Sequence, residues 1–374
     1  MKNNKKIKVV FGINDFLVGG AQRLIVDLFS RLDKNTFELH LITLFQFDDK
    51  MNFYSLLPLN VSVHRYDFNG FLDLSEWFKV FYILRKIKPD ILVSNLFFSN
   101  TIFRILNLFI GFKIIIVEHN TYIMKSTLQR FTDKILSYIT YRIIAVSNTV
   151  MNFTAVQEHI PMGKFMVINN GIDPDFFKRE KESQDKQKLK STIGFDGTSK
   201  IIINVGRLTA QKNHRLLIEA FPKFSIKHPQ YKLIILGKGS LRDELKKTIN
   251  KLGSKNSIFL LGARKDLHKY YLASDFFVST SLIEGVGIAH TEAMACGLPV
   301  LSTKTAGPDK MIKEGINGYF ILEPTIESVF KGLGKMIESP LSVMGQAAME
   351  ISHYFPIDKT VSKYEKLFLK IMNT

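Results

Sequence analysis

The sequence predicts an α/β protein of two doubly wound, mostly parallel sheets. Short β-branched runs alternate with longer amphipathic segments from end to end, which is the pattern of βα repeats. The alternation breaks once, near residue 170, and 374 residues exceed what one ordinary core takes. Two domains follow, at 1–170 and 171–355, with a helix at about 356–374 returning to the first.

The first domain opens on IKVVFG (7–12), a buried strand, and AQRLIVDLFSRL (21–32), whose apolar spacing is helical. Further strands are FELHLITL (37–44), VSVHRY (61–66), DILVSN (90–95), KIIIVEH (113–119), RIIAVS (142–147) and KFMVIN (164–169). The stretch NNGIDPDFFKREKESQDKQKLK (169–190) is charged and low in apolar residues, as expected of a linker and surface helix. The alternation restarts with IIINVG (201–206), YKLIILG (231–237), SIFLLG (257–262), DFFVST (275–280) and PVLST (299–303). FPIDKTVSKYEKLFLKIMNT (355–374) has the pattern of a basic amphipathic helix.

Composition sets limits on function. Hydrophobic residues make up 46%, so the chain folds rather than staying disordered. A single cysteine, Cys296, excludes a disulfide framework and fits a reducing cytosol; inside AMACG it reads as a small buried apolar residue. The basic start MKNNKK precedes too short an apolar run for a signal peptide. The longest apolar run, 96–117, is broken by Ser99, Asn100, Arg104 and Asn107, so a soluble or peripheral protein is expected. The net charge of +17 points to an anionic partner or to solvated lysines. With no zinc-finger spacing or aromatic RNA-binding motif, phosphates at a membrane surface are preferred over nucleic acid.

Ligands of doubly wound sheets bind beyond the carboxyl ends of the strands, so with two such domains the cleft between them is the expected site. Gly19-Gly20 stands at a helix mouth after the first strand, where backbone N–H groups can meet a phosphate or the pair simply starts the helix. The spacing is not G-x-G-x-x-G, which counts against a dinucleotide-binding dehydrogenase. VGRLTAQKNH places Arg207 at a strand end and Lys212 at a helix start, a pair suited to clamp a diphosphate. In SLIEGVGIAHTEAMACG, Glu284 and Glu292 flank the turn Gly285-Val286-Gly287. They fit paired acid/base work, hydroxyl acceptors for a nucleotide sugar, or acids placed near a helix start.

GGAQRLIVDL, VGRLTAQKNH, LGKGSLRDEL, LLGARKDL and SLIEGVGIAHTEAMACGLPVLST together resemble the retaining glycosyltransferases of family 4, enzymes of the GT-B fold. The resemblance covers nearly the whole chain and is strongest over 200–320. It implies two Rossmann-like domains facing a central cleft, an acceptor-binding first half and a nucleotide-sugar-binding second half. It implies that Glu292 accepts from ribose hydroxyls and that Glu284 lies at the donor sugar, near the anomeric centre. Gly19, Gly20, Gly262 and the Gly285-Val286-Gly287 turn join the donor site, and Arg207 and Lys212 neutralise the departing diphosphate. His119 in VEHNTY is placed near the sugar, with catalytic and structural roles both open; Glu118 either orients it or faces solvent. His290 matches no position with a role.

By resemblance the chain moves a sugar, from UDP first and GDP second, to a lipid-linked or oligosaccharide acceptor in bacterial surface-polysaccharide synthesis. It works peripherally on the inner face of the cell membrane, with no metal and no cofactor beyond the nucleotide sugar. Asp173-Pro174-Asp175 imitates a metal-binding D-x-D, but the preferred reading is a proline turn. The aromatic-basic helices at 75–90 and 127–142 either bind an anionic membrane or cover the sheet. The alternatives are an epimerase or other GT-B enzyme, and a non-catalytic basic membrane-binding module.

Overall fold

A computed structural model of the chain describes residues 6–47, 51–122, 125–177 and 185–373. It divides into two compact units, Met1–Asn170 with Ile357–Thr374, and Gly171–Pro356.

The first unit is a seven-stranded sheet in the order β3-β2-β1-β4-β5-β6-β7. The strands are β1 (Ile7–Ile13), β2 (Phe37–Thr43), β3 (Ser62–Arg65), β4 (Ile91–Asn95), β5 (Lys113–Glu118), β6 (Arg142–Ala145) and β7 (Phe165–Val167). Every pairing is parallel, with β1 between β2 and β4 and with Ile13 opposite Asn95. Both faces are covered, so the strands read as continuous apolar runs; Val9, Val10, Leu92, Val93, Ile114 and Ile115 are fully buried.

Helices α1 (Gly20–Arg31), α2 (Leu74–Ile87), α3 (Phe97–Ile110), α4 (Thr127–Ser137) and α5 (Asn148–Glu158) fill the crossovers. Helix α2 covers the sheet with Val80, Leu84 and Ile87 and leaves Leu74, Phe78 and Tyr82 in solvent. Helix α4 is turned the other way. It buries Asp133, Leu136 and Ser137, while its apolar stripe Leu128, Phe131, Ile135 and Tyr138 is exposed.

The second unit is a six-stranded parallel sheet in the order β10-β9-β8-β11-β12-β13. Its strands are β8 (Lys200–Val205), β9 (Tyr231–Leu236), β10 (Ile258–Leu260), β11 (Phe276–Ser279), β12 (Val300–Thr303) and β13 (Gly318–Ile321). The edge strand GYFI was not anticipated. The helices that position the site are α6 (Lys186–Thr192), α7 (His214–Lys227), α8 (Arg242–Lys251), α9 (Leu267–Ala273) and α10 (Ile288–Ala295).

In each sheet the strand order reverses once, between β1 and β4 and between β8 and β11. At such a switch point the flanking crossovers run to opposite faces and leave a crevice at the carboxyl ends.

The last helix, α11 (Ile357–Met372), belongs to the first unit. Its Phe368 ring meets Phe37 at 5.8 Å and Phe11 at 6.4 Å, both edge-on. Thr360 Oγ1 donates to the Asn169 carbonyl at 2.8 Å, and Arg31 pairs with Asp358 at 3.4 Å.

Candidate active site

Of the residues predicted for the donor site in the second unit, the structure brings Lys212 and Glu284 together where β8 and β11 lie side by side. Arg207 follows β8 directly and is exposed. The turn after it is stitched to the loop after β11 by three hydrogen bonds. Leu282 N–H donates to Gln211 O at 2.9 Å, Gln211 Nε2 to Ile283 O at 3.0 Å, and Thr280 Oγ1 to Asn213 O at 2.9 Å. Asn213 makes the turn at φ +47, a conformation asparagine tolerates better than most residues.

The stitching carries Lys212 back over Gly206, where an added Cβ would lie 3.4 Å from its Cδ, and onto Glu284. Lys212 Nζ donates to Glu284 Oε1, and Ser281 Oγ donates to the same oxygen at 2.8 Å. Glu284 is 7% exposed. Burial pushes its carboxyl up, but Lys212, His290 and the Ser281 hydroxyl pull it down and win, so it is held ionised. The two residues assigned to diphosphate and sugar are therefore paired with each other.

Two imidazoles stand behind this pair. His290, 1% exposed, lies 3.0 Å from Ser302 Oγ, and burial lowers it to about 4 despite the pull of Glu284. His214, missed in the sequence reading, is lowered to about 4 by burial and then by Lys212. Both are neutral at pH 7 and add no charge that would compete with Lys212.

Gly287 is the N-cap of α10 at φ +75, which a side chain would strain. Gly285 and Val286 complete the turn, and Gly307 packs so closely that a Cβ there would lie 2.6 Å from the Val286 carbonyl oxygen. Glu292, half-buried on α10, accepts from the Tyr271 hydroxyl at 3.1 Å. Burial and the Glu292 charge raise that phenol well above its usual range, so the proton stays on Tyr271. Gly262 turns at φ +77 beside Arg242 and Arg264, whose guanidinium nitrogens would be 3.6 and 4.0 Å from an added Cβ.

The remaining predicted residues belong to the first unit. Gly19 caps α1 in an extended conformation, and Gln22 Oε1 occupies the place its Cβ would take, 2.5 Å away. Gly20 begins the helix and is exposed. His119 follows β5, half-buried, with Nε2 2.9 Å from Asn95 Oδ1.

Glu118 is 3% exposed and does not face solvent; its ion-pair partner is Lys125, at 3.6 Å. Lys125 also meets Asp133 at 2.9 Å and Glu158 at 2.6 Å, and Arg104 pairs with the other oxygen of Asp133. Three carboxylates and two cations are thus buried together, a cluster invisible in the sequence because its members lie on α3, β5, the following loop, α4 and α5. Burial first, then neighbouring carboxylates against the pull of Lys125, raises Glu158 to about 8 and raises Glu118 as well.

Asp173 Oδ1 accepts from the Phe176 amide at 2.9 Å, and Asp175 is exposed, 4.0 Å from His353 Nε2. Among the described residues no three His, Cys, Asp or Glu side chains converge as metal ligands. Cys296 is buried at the end of α10.

Two doubly wound parallel units are the architecture of the GT-B enzymes, and the chain belongs to the glycosyltransferases. The family model for glycosyl transferases group 1 matches residues 185–351, and that for glycosyltransferase family 4 matches residues 18–176. An uncharacterized glycosyltransferase of Methanocaldococcus jannaschii is 32% identical over 203 residues, 54% of this chain, and the match spans about half (52%) of that relative's length. UDP-Gal:alpha-D-GlcNAc-diphosphoundecaprenol alpha-1,3-galactosyltransferase of Escherichia coli is 26% identical over 391 residues, covering 99% of this chain and 98% of the other. Among solved structures, Anabaena HepE in complex with UDP and glucose superposes with a TM-score of 0.82 at 21% identity, covering 97% of this chain and 100% of that one.

Proposed function

We propose that the protein transfers a sugar from a nucleotide-sugar donor, a UDP-sugar first, to a lipid-linked or glycan acceptor in bacterial surface-polysaccharide synthesis. The observation that carries this reading is the Lys212–Glu284 pair at the switch point of the second unit, with Arg207 exposed on the same strand end. A bound diphosphate supplies a counter-charge to the exposed Arg207 and draws Lys212 from Glu284, leaving that carboxylate, held by Ser281, as an acceptor for sugar hydroxyls. The helix start after Gly287 adds N–H groups and a positive dipole end. Glu292 receives the ribose hydroxyls.

The reaction is retaining: the acceptor attacks on the face from which the diphosphate leaves. No protein nucleophile is needed, and the two glutamates bind rather than act as an acid/base pair. Charge building on the diphosphate is met by Arg207, Lys212 and backbone amides instead of a metal. His119 is assigned to assist the acceptor.

A lipid-linked acceptor is in keeping with the E. coli relative, whose name carries a diphosphoundecaprenol substrate. It also explains the outward apolar stripe of α4. Helix α3 packs against both α2 and α4, so their exposed Phe78, Tyr82, Phe131 and Tyr138 lie on the helical layer of one sheet. No helix among the described residues is long and apolar enough to cross a membrane, so contact would be peripheral.

The test is a thermal-melting screen of UDP, GDP, ADP and their sugars against the whole protein. A ligand at a hundredfold its dissociation constant adds about 2.7 kcal/mol of stability. UDP-sugars should raise the melting temperature most; no shift from any of them overturns the donor site.

A further inference from the structure

We propose that Asn95 is a positioning residue for His119: its side-chain carbonyl fixes the imidazole as the Nε2–H tautomer, which makes Nδ1 the ring atom able to accept a proton. The proposal rests on the role given to His119 above.

Asn95 ends β4, 1% exposed, beside the central strand β1. Its Nδ2 donates to the Gly12 carbonyl at 3.1 Å and to the Val93 carbonyl at 3.4 Å. Both partners are acceptors only, so the nitrogen end of the amide must face them; a flipped amide would set oxygen against oxygen. Oδ1 is thereby aimed at His119 Nε2, 2.9 Å away. An amide oxygen cannot donate, so the ring nitrogen facing it must carry the proton, and in the neutral ring Nδ1 keeps the lone pair.

The backbone at this point is strained. Leu96, the next residue, has φ 73 and ψ 150, a region essentially reserved for glycine. Such a conformation persists only where its surroundings over-determine it. Here Asn100 N–H donates to Leu96 O at 2.9 Å, Ser99 N–H to Asn14 Oδ1 at 3.0 Å, and Ser99 Oγ to the carbonyls of Asn95 and Leu96. The strained turn swings the chain from β4 into α3 within one residue and leaves the Asn95 amide at the strand end, beside the His119 ring. Asn14 joins it from the end of β1, so three polar side chains occupy the ends of three adjacent central strands.

The test uses the full chain labelled with 15N-histidine and long-range 15N–1H NMR, with His119 assigned from its loss in His119→Gln. In the wild type, His119 should show the Nε2–H pattern and a ring N–H proton slow enough in exchange to be seen. Asn95→Leu should lose that proton signal and give averaged tautomer shifts. Asn95→Ala repeats the test if the larger side chain impairs folding, which melting by circular dichroism reports. An Nδ1–H tautomer in the wild type, or unchanged ring signals in the Asn95 variants, overturns the proposal.

Nucleotide release from the donor selected by the melting screen supplies a second readout. Asn95→Ala should lower kcat by about tenfold with an unchanged donor KM, a part of the 10²–10⁴ a positioned acid or base contributes. If the ring signals change as expected but both His119→Gln and Asn95→Ala keep full transfer, the tautomer assignment stands and the catalytic reading of His119 falls.

Discussion

Replacing Glu158 by glutamine should remove most of the pH dependence of the first unit's stability between about pH 6 and pH 9. The cluster it belongs to holds Arg104 and Lys125 against Glu118, Asp133 and Glu158, so two cations face three carboxylates and one proton is needed for balance. Burial, with Glu118 and Asp133 nearby, holds the Glu158 carboxyl up to about 8, above its ordinary 4.5. The folded state therefore keeps a proton that the unfolded chain has released. The stability this contributes is complete below the unfolded value and is lost as pH rises through 8. For one such carboxyl the loss between pH 6 and pH 9 is about 2.7 kcal/mol. For a unit of this size that is roughly 5–10 °C in melting temperature. Glutamine keeps the shape and supplies the missing neutrality at every pH, leaving Glu118 and Asp133 to balance the two cations. Calorimetric melts of wild type and Glu158→Gln at four pH values give the difference directly. Parallel curves for the two proteins would refute the shared-proton account.

Further predictions concern the site and the surface. Glu292→Ala should weaken nucleotide-sugar binding and Glu284→Ala should lower turnover, each by about ten- to hundredfold for a lost charged hydrogen bond; calorimetry and initial rates check them, and full activity in both would sink the assignment. Transfer should survive EDTA; loss with chelation and rescue by magnesium or manganese would bring Asp173 and Asp175 back as ligands. Co-sedimentation with anionic vesicles should occur at low salt and weaken at high salt, with about 1 kcal/mol from each basic residue near the surface. Reversing Lys79, Arg85, Lys86 and Lys88, all exposed on α2 and its C-cap, should reduce it, as should Phe131→Gln with Ile135→Gln on α4, while nucleotide affinity stays unchanged.

The strands were legible because parallel sheets buried on both faces leave uninterrupted apolar runs such as VVF in β1 and IIIV in β5. The edge strand Gly318–Ile321 was not, because its four residues hold one β-branched side chain and begin with a glycine. That glycine is required by packing: a Cβ there would lie 2.0 Å from the Val300 carbonyl oxygen. Motif spacing picked out Arg207, Lys212 and Glu284, which lie in the turns that follow β8 and β11, and Glu292, which lies on the helix after the Gly285-Val286-Gly287 turn. Asn95 and Lys125 were not legible, because what they do depends on strands and helices brought together from distant parts of the chain. The polarity of α4 was half legible. The stripe Leu128, Phe131, Ile135 and Tyr138 is plain in the sequence, but a helix normally turns such a stripe inward, and here the ion pairs of Asp133 with Arg104 and Lys125 hold the opposite face of the helix inward.

Helix α11 also sets the order of events at the ribosome. The sheet made first lacks its cover over Phe11 and Phe37 until Ile357–Met372 emerges, after the whole of Gly171–Pro356 has been synthesised. At about 5–20 residues per second that delay is roughly 10–40 s. During it the nascent first unit carries an open apolar seam, and the second unit is free to fold as one uninterrupted stretch. The late-made unit can thus complete before the early-made one.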